Sequence, residues 1–173
     1  MPAEPIETAD LVDRADLVDS IEAEWARAYP DLDTSPIGVL GRIQRIATVA
    51  SSRLDRKLEP HGVSRSEFDV LGALARADGP LRASEVVSTT MLSGASITKL
   101  SDALVRRGLV ARSKSARDGR VVLLELTPAG KALVDAEFPH RLADDELALR
   151  TLSPEERELL VALLKKVSRS FPD

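Results

Sequence analysis

The sequence predicts a mainly α-helical protein that carries one β-hairpin. Apolar residues recur at helical spacing in several segments, and capping residues mark where these helices begin. Two β-rich runs, Leu109–Arg112 and Val121–Leu126, are joined by a polar, basic tip. A short helix from Leu81 to Ser88 and a capped helix from Ser93 precede this hairpin. The order of helix, turn, helix and hairpin is typical of a winged helix-turn-helix, in which the hairpin is the wing.

The second helix of this pair has the pattern of a helix that enters the major groove of DNA. Ser93 is a suitable N-cap, and Gly108 suits the left-handed residue that ends a helix. Ile97, Leu100 and Leu104 share one apolar face, whereas the opposite face is small and hydrogen-bonding near its N-terminus. The same stripe also fits an ordinary surface helix. The residues expected to contact DNA on this helix are Ser93, Gly94, Ala95, Ser96, Thr98 and Lys99.

The hairpin favours the DNA-binding interpretation. Between Lys99 and Arg120 there are seven basic residues and two acids, a local balance of +5, whereas the whole chain carries −4. A basic patch on an acidic protein indicates a localised site for a polyanion. We expect Lys114, Arg117 and Arg120 to contact DNA, with the two arginines at the minor groove. Asp118 either orients a neighbouring arginine or only shapes the turn.

Residues 1–33 are strongly acidic, with ten acids against two arginines and a balance of −8. Such a segment should not lie on DNA, because the phosphates would repel it. Its apolar residues, from Leu11 to Trp25, nevertheless recur at helical spacing up to about Ala28. We therefore expect residues 1–35 to form an extra acidic N-terminal helix. A frayed acidic tail is the alternative.

The remaining helices are placed by their caps, and they predict a homodimer. The expected caps are Ser35, Ser64 with Glu67 in a capping box, Thr127, and Ser153 with Glu156 in a second box. Pro139 should kink the helix that Thr127 opens. We expect residues 36–62 and 127–173 to be dimerisation helices and residues 63–126 to be the DNA-binding region, all within one compact domain. The terminal helices carry more apolar surface than one small winged helix covers, which calls for a second subunit.

The composition argues against several other classes of protein. There is no cysteine, so disulfides, thiolate metal sites and thiol-based sensing are excluded. With only two histidines, His61 and His140, and no cysteine, we do not expect a metal site, and no cofactor is implied. No catalytic or phosphate-binding motif is present, so an enzyme is not expected. The chain has no apolar stretch of about 18 residues and no signal peptide, so we expect a cytoplasmic protein with no membrane span.

These motifs together resemble the MarR family of bacterial transcription regulators. The similarity rests on Ser93–Leu109, on Arg117-Asp118-Gly119-Arg120 in the wing and on Leu126-Thr127-Pro128-Ala129-Gly130, which opens a long helix. It extends upstream to Ser64–Leu71 and covers the chain from about Pro36. The resemblance implies a homodimer, interlocked by its N- and C-terminal helices, that binds a double-stranded DNA operator. A ligand-responsive repressor with a pseudo-palindromic operator is the favoured function. The alternative is a winged-helix module that binds protein and not DNA.

The extra helix carrying Trp25 is similar to the urate-responsive branch of that family. Trp25, Asp69 and Arg112 match three of the four effector-binding residues of the branch, whereas Leu100 stands where a second arginine is expected. The resemblance implies a pocket between the extra helix and the winged helix for a small anionic aromatic or purine-like effector. An Asp69–Arg112 pair would tie the dimer-side helix to the wing until the anion breaks it. Alternatively, Trp25 belongs to the core and the pair is a plain salt bridge.

Overall fold

The computed structural model describes residues 16–90, 92–115, 118 and 120–171. The chain divides into two compact units, Met1–Glu59 and Pro60–Asp173. The elements of the first unit are α1 (Leu17–Ala28) and α2 (Ser35–Leu58). Those of the second are α3 (Arg65–Ala75), β1 (Leu81–Arg82), α4 (Ala83–Ser88), α5 (Gly94–Arg106), β2 (Val110–Lys114), β3 (Val122–Leu126), α6 (Pro128–Leu149) and α7 (Pro154–Ser168). The prediction of a mainly helical winged helix-turn-helix is confirmed.

In the first unit, α1 is capped at its start and tied to α2. The Asp16 carboxylate accepts hydrogen bonds from the amides of Val18 and Asp19, at 2.7 and 3.1 Å. The helix therefore begins at Leu17, and the predicted contribution of Leu11 lies outside the described residues. From α2, Arg42 donates to the Asp19 carboxylate at 2.7 Å, and this hydrogen bond lowers the pKa of Asp19. Since the carboxylate is ionised well below neutral pH, the tie between α1 and α2 persists until strongly acidic pH.

The cap predicted for α2 is wrong by one residue. Ser35 is the first helical residue, and the N-cap position belongs to Thr34, whose side chain makes no capping hydrogen bond. Instead the carboxylate of Asp33 accepts the amide of Ser35 at 3.0 Å, and hydrogen bonding from Ser35 lowers the pKa of Asp33. A carboxylate is a stronger hydrogen-bond acceptor than a hydroxyl, which explains why Asp33, and not the side chain of Thr34, binds the free amide of Ser35.

The second unit contains an antiparallel three-stranded sheet in the order β1-β3-β2. Leu81 lies opposite Leu124, and Val110 lies opposite Leu126. The prediction that Leu81 begins a helix is wrong, because Leu81 and Arg82 pair with β3 and the helix starts only at Ala83. This short strand occupies the edge of β3 that the hairpin partner leaves unpaired, where backbone groups need partners.

Helix α3 lies at the centre of the core of the second unit. Phe68, Val70 and Leu71 on this helix are at most 2% exposed. The same core contains fully buried aliphatic side chains from the other elements, namely Val86, Ile97, Leu104, Val110 and Leu124. Burying each such side chain contributes about 1.5–3 kcal/mol, which is how a chain with few aromatic residues forms a core.

The long helix α6 is attached directly to the end of α5. The Thr127 hydroxyl accepts the amide of Gly130 at 3.0 Å and donates to the carbonyl of Gly108 at 2.7 Å. The amide of Thr127 donates to the carbonyl of Leu109 at 3.1 Å. The helix continues past Pro139, and the kink expected there stays a prediction. The predicted capping box of α7, Ser153 with Glu156, is present.

None of the helices in the described ranges combines the length and apolar character that a membrane span requires.

Candidate nucleic-acid interface and effector residues

Helix α5 is held by its buried face and capped at both ends. Ile97 and Leu104 are fully buried, which fixes the direction in which the opposite face points. At the start, Ser93 Oγ accepts the amide of Ser96 at 3.3 Å, and the two hydroxyl oxygens lie 2.9 Å apart. At the end, Gly108 adopts a left-handed φ of 69°, as the sequence predicted.

The outer face of α5 is exposed where DNA contacts are expected. Gly94, Ala95, Thr98 and Lys99 are all exposed, and the Thr98 hydroxyl donates to the carbonyl of Gly94 at 3.2 Å. That hydroxyl oxygen keeps lone pairs that can accept a hydrogen bond from a base edge. The exception on this face is Ser96, which is half-buried and bonded to the capping serine.

The tip of the wing is shaped by Asp118. Its carboxylate accepts the backbone amide of Arg120 at 3.0 Å, and its carbonyl accepts the amide of Val121 at 2.9 Å. Within the described part of the wing, Asp118 therefore binds backbone amides of the turn. This agrees with the prediction that Asp118 shapes the turn. Lys114, at the end of β2, and Arg120 are exposed. Arg117, the other arginine expected at the minor groove, lies outside the described residues.

The predicted Asp69–Arg112 pair is wrong. Arg112, on β2, forms its ion pair with Asp102 of α5 and lies 3.3 Å from the Ser101 hydroxyl. Asp69, on α3, is instead 3.5 Å from Arg65 Nε and 3.3 Å from Arg141 Nη1. Arg112 and Asp69 are therefore each neutralised by another partner, which lies on the same helix or on an adjacent one. Arg112 also borders a cavity of about 260 Å³ between α5 and the hairpin, with Thr98, Ser101 and Leu124 among its other lining residues.

Trp25 lies in the first unit, where it stacks on Tyr29 with ring centroids 5.5 Å apart. Trp25 is 49% exposed, so it is not a core residue as the alternative interpretation supposed. The two rings line an open cavity of about 260 Å³ together with Leu32, Pro36 and Ile37. Its role in effector binding stays a prediction.

The structure assigns Arg107 a role that the sequence did not indicate. Its guanidinium donates to the carbonyl of Gly62 and to the carboxylate of Glu67, which is only 8% exposed. Glu67 also accepts the amide of Ser64 at 2.9 Å in the predicted capping box. Arg107 therefore fastens the end of α5 to the start of α3 and is not simply part of the basic surface. Its partners are 40 and 45 residues away, so no local pattern identifies them.

The histidines offer no metal site in the described part of the chain. His61 lies 3.0 Å from the carboxylate of Glu137. Nowhere in the described ranges do three potential ligands among histidine, cysteine and acidic side chains come together.

Comparison with known proteins identifies the family. The model of the MarR family matches residues 61–121. The transcriptional regulator PecS of Dickeya dadantii is 30% identical over 154 residues, which cover 88% of this chain and 93% of PecS. The chain belongs to the MarR family. Another relative, the transcriptional repressor NicR of Pseudomonas putida, is 30% identical over 141 residues, covering 79% of this chain and 88% of NicR.

Solved structures of MarR proteins have the same fold. The S. aureus MepR–DNA complex matches with a TM-score of 0.72 at 26% identity, covering 77% of this chain and 98% of MepR. Bordetella bronchiseptica BpsR, whose DNA binding is regulated by 6-hydroxynicotinic acid, matches with a TM-score of 0.68 at 29% identity, covering 78% and 94%. The protein is therefore a MarR-family DNA-binding transcriptional regulator. These relatives are regulators and not enzymes.

We expect the substitution Arg120→Ala to weaken DNA binding and to lower the dependence of log K on log salt by about one unit. The reason is that each phosphate contact made by a cation releases condensed counterions, and Arg120 is exposed at the wing tip. Filter binding at several salt concentrations measures the slope. Arg150→Ala, at an exposed arginine that ends α6, is the control and should leave the slope unchanged. An unaltered slope and affinity in Arg120→Ala would contradict a contact at the wing.

Proposed function

We propose that this regulator is a homodimeric, ligand-responsive repressor that binds a pseudo-palindromic operator and is released by a small anionic aromatic effector. The observation that carries the proposal is the exposed N-terminal half of α5, with Thr98 and Lys99, beside the cations of the wing. Two copies of this surface in a symmetric dimer would read half-sites roughly one duplex turn apart, as helix-turn-helix dimers do.

The exposed apolar residues support the homodimer. In α7, five large apolar side chains are between 39% and 60% exposed, and α6 adds Leu142 and Leu147. The five are Leu159, Leu160, Val161, Leu163 and Leu164. In the first unit, Val39, Leu40 and Ile46 on α2 are at least 44% exposed. A monomeric protein rarely exposes so many large apolar side chains, and a second copy of the chain would bury them.

The effector class is supported by the relatives. The DNA binding of BpsR is regulated by 6-hydroxynicotinic acid, which is an aromatic acid. Several relatives are named repressors, which supports the repression in this proposal. The sequence resemblance to urate-responsive members gives the same class, an anionic ring. A winged-helix module that binds only protein does not explain the exposed cations at Lys99, Lys114 and Arg120.

The operator proposal is tested with Thr98→Ala. Loss of the Thr98 hydroxyl should weaken binding to the operator by about 1–3 kcal/mol if this hydroxyl contacts a base, and should leave binding to random DNA unchanged. The measurement is a gel shift on promoter DNA from beside the gene and on a shuffled duplex. Thr48→Ala is a matched control, because Thr48 is also exposed and also donates to the carbonyl four residues before it. Equal losses on both DNAs would make Thr98 a phosphate contact.

The effector proposal is tested on the same complex. Urate or 6-hydroxynicotinic acid should release wild-type protein from promoter DNA, and Trp25→Ala and Arg112→Ala should need more effector for the same release. If an effector releases all three proteins equally well, Trp25 and Arg112 are not the sensor. If no promoter fragment shifts at any protein concentration, the repressor proposal itself fails.

A further inference from the structure

The open cavity beside Trp25 and Tyr29, in the first unit, has a lining whose chemistry suits a cation. Its volume of about 260 Å³ lies just below the range of drug-sized sites, which favours a small ligand. The lining combines the two aromatic rings with three other apolar side chains, one threonine and one carboxylate, that of Asp33. No lysine, arginine or histidine is among the described lining residues. The charge of this lining is therefore −1.

The two aromatic rings present accessible π-surface to this cavity. Trp25 and Tyr29 are stacked with their ring centroids 5.5 Å apart and their planes inclined by 28°. They are 49% and 50% exposed, so about half of the surface of each residue remains open. The face of an aromatic ring carries negative charge density and attracts a cation placed within about 6 Å of its centre. Two neighbouring rings are close enough for one cation to contact both.

Asp33 supplies a charge that can balance such a cation. Its carboxylate accepts the amide of Ser35 at 3.0 Å, and hydrogen bonding from Ser35 holds the pKa of Asp33 below its usual value. The carboxylate is therefore ionised at neutral pH. In the described ranges no lysine or arginine contributes to this lowering. Since a carboxylate has about four acceptor positions, one backbone amide leaves it free to pair with a ligand.

The surroundings of the cavity add to the negative potential. Residues 16–34 carry six acids and one arginine, a balance of −5, which becomes −4 when Arg42 of α2 is included. Such a potential raises the local concentration of cations. A calcium or magnesium ion fits poorly, because it requires several oxygen ligands, and nowhere in the described part of the chain do three acidic or histidine ligands come together. The apolar lining instead favours a cation that carries its own apolar surface.

We infer that this cavity binds a small organic ammonium ion with methyl groups on its nitrogen. The methyl groups contact the faces of Trp25 and Tyr29, which is how aromatic side chains recognise quaternary ammonium ligands, and Asp33 balances the charge. This ligand is distinct from the anionic effector of the proposed function, for which Arg112 of the second unit supplies the positive charge. The inference goes beyond the proposed function and does not depend on it.

Tryptophan fluorescence reports on this cavity directly, because Trp25 is the only tryptophan of the chain. We expect choline, added to the full-length protein, to cause a saturable change that is half-maximal at millimolar concentration, whereas sodium chloride at the same ionic strength should not. The compound tert-butylethanol has the shape of choline without its charge and should bind about tenfold more weakly. The anion of tert-butylacetic acid should bind more weakly still.

Asp33→Asn separates the charge from the shape of the site. The variant should lose about tenfold in affinity for choline and keep the affinity for tert-butylethanol. An asparagine oxygen can still accept the amide of Ser35, so the start of α2 is preserved, and an unchanged circular dichroism spectrum verifies this. Asp31→Asn is the matched control, since Asp31 is an exposed acid of the same loop that does not line the cavity, and it should bind choline as wild type does.

Three results would each overturn the inference. The first is the absence of a saturable change with choline, which is also the result expected if a second copy of the chain covers the rings. The second is equal binding of choline, the alcohol and the anion. The third is equal affinity for choline in Asp33→Asn and Asp31→Asn. None of these results bears on DNA binding, which the gel shifts test separately.

Discussion

Replacement of Gly130 by alanine is expected to destabilise the fold by about 3 kcal/mol, because a side chain there overlaps the backbone. An ideal Cβ at this position would lie 2.1 Å from the carbonyl oxygen of Leu109 and 3.2 Å from Leu126 Cδ2. The carbonyl group of Leu109 cannot move away easily, since it accepts a hydrogen bond from the amide of Thr127 at 3.1 Å. The clash therefore separates α6 from the end of α5.

Urea denaturation followed by circular dichroism measures this loss. Gly79→Ala is the matched control, because a Cβ there meets nothing within 4 Å and its backbone is not left-handed. The control should be as stable as wild type or slightly more stable, since alanine restricts the unfolded chain. If the two variants have the same midpoint, the close approach at Gly130 does not constrain the fold.

The second large effect is expected at the apolar surface of α7. Introducing glutamate at Leu159 and Leu163 together should convert the proposed dimer into a monomer and reduce operator affinity by about 100-fold or more, because two half-sites are no longer bound by one molecule. These two side chains are 60% and 52% exposed and lie one helical turn apart, so the change should leave the fold of the single chain intact.

Sedimentation velocity and gel shifts measure the two parts of this prediction. Lys166→Glu on the same helix is the control for added negative charge, since Lys166 is exposed and polar. It should remain dimeric. The prediction is contradicted if wild type is already a monomer at micromolar concentration, or if the double variant stays dimeric and binds the operator normally.

The local parts of the structure were predictable from the sequence because the atoms involved are a few residues apart. Ser64 with Glu67, Ser93, Thr127 and Ser153 cap helices as expected, and each accepts the amide three residues further on. The burial of Ile97 and Leu104 on α5 follows from helical spacing and fixes which face is exposed, whereas Leu100 is only half-buried and Ser101 is buried instead. The order of elements and the MarR family follow from such local signals.

The pairing of distant side chains was decided only by the tertiary structure. Asp69 is 72 residues from Arg141, and Arg107 is 40 residues from Glu67. Periodicity shows that a residue lies on a given face, but it does not show which of several arginines packs opposite that face. For the same reason the pairing of Leu81 with β3 was missed, because a two-residue strand has no periodicity of its own. The sequence by itself therefore determined the family and the exposed face of α5, whereas the packing of α3 against α6 determined that Asp69 pairs with Arg141.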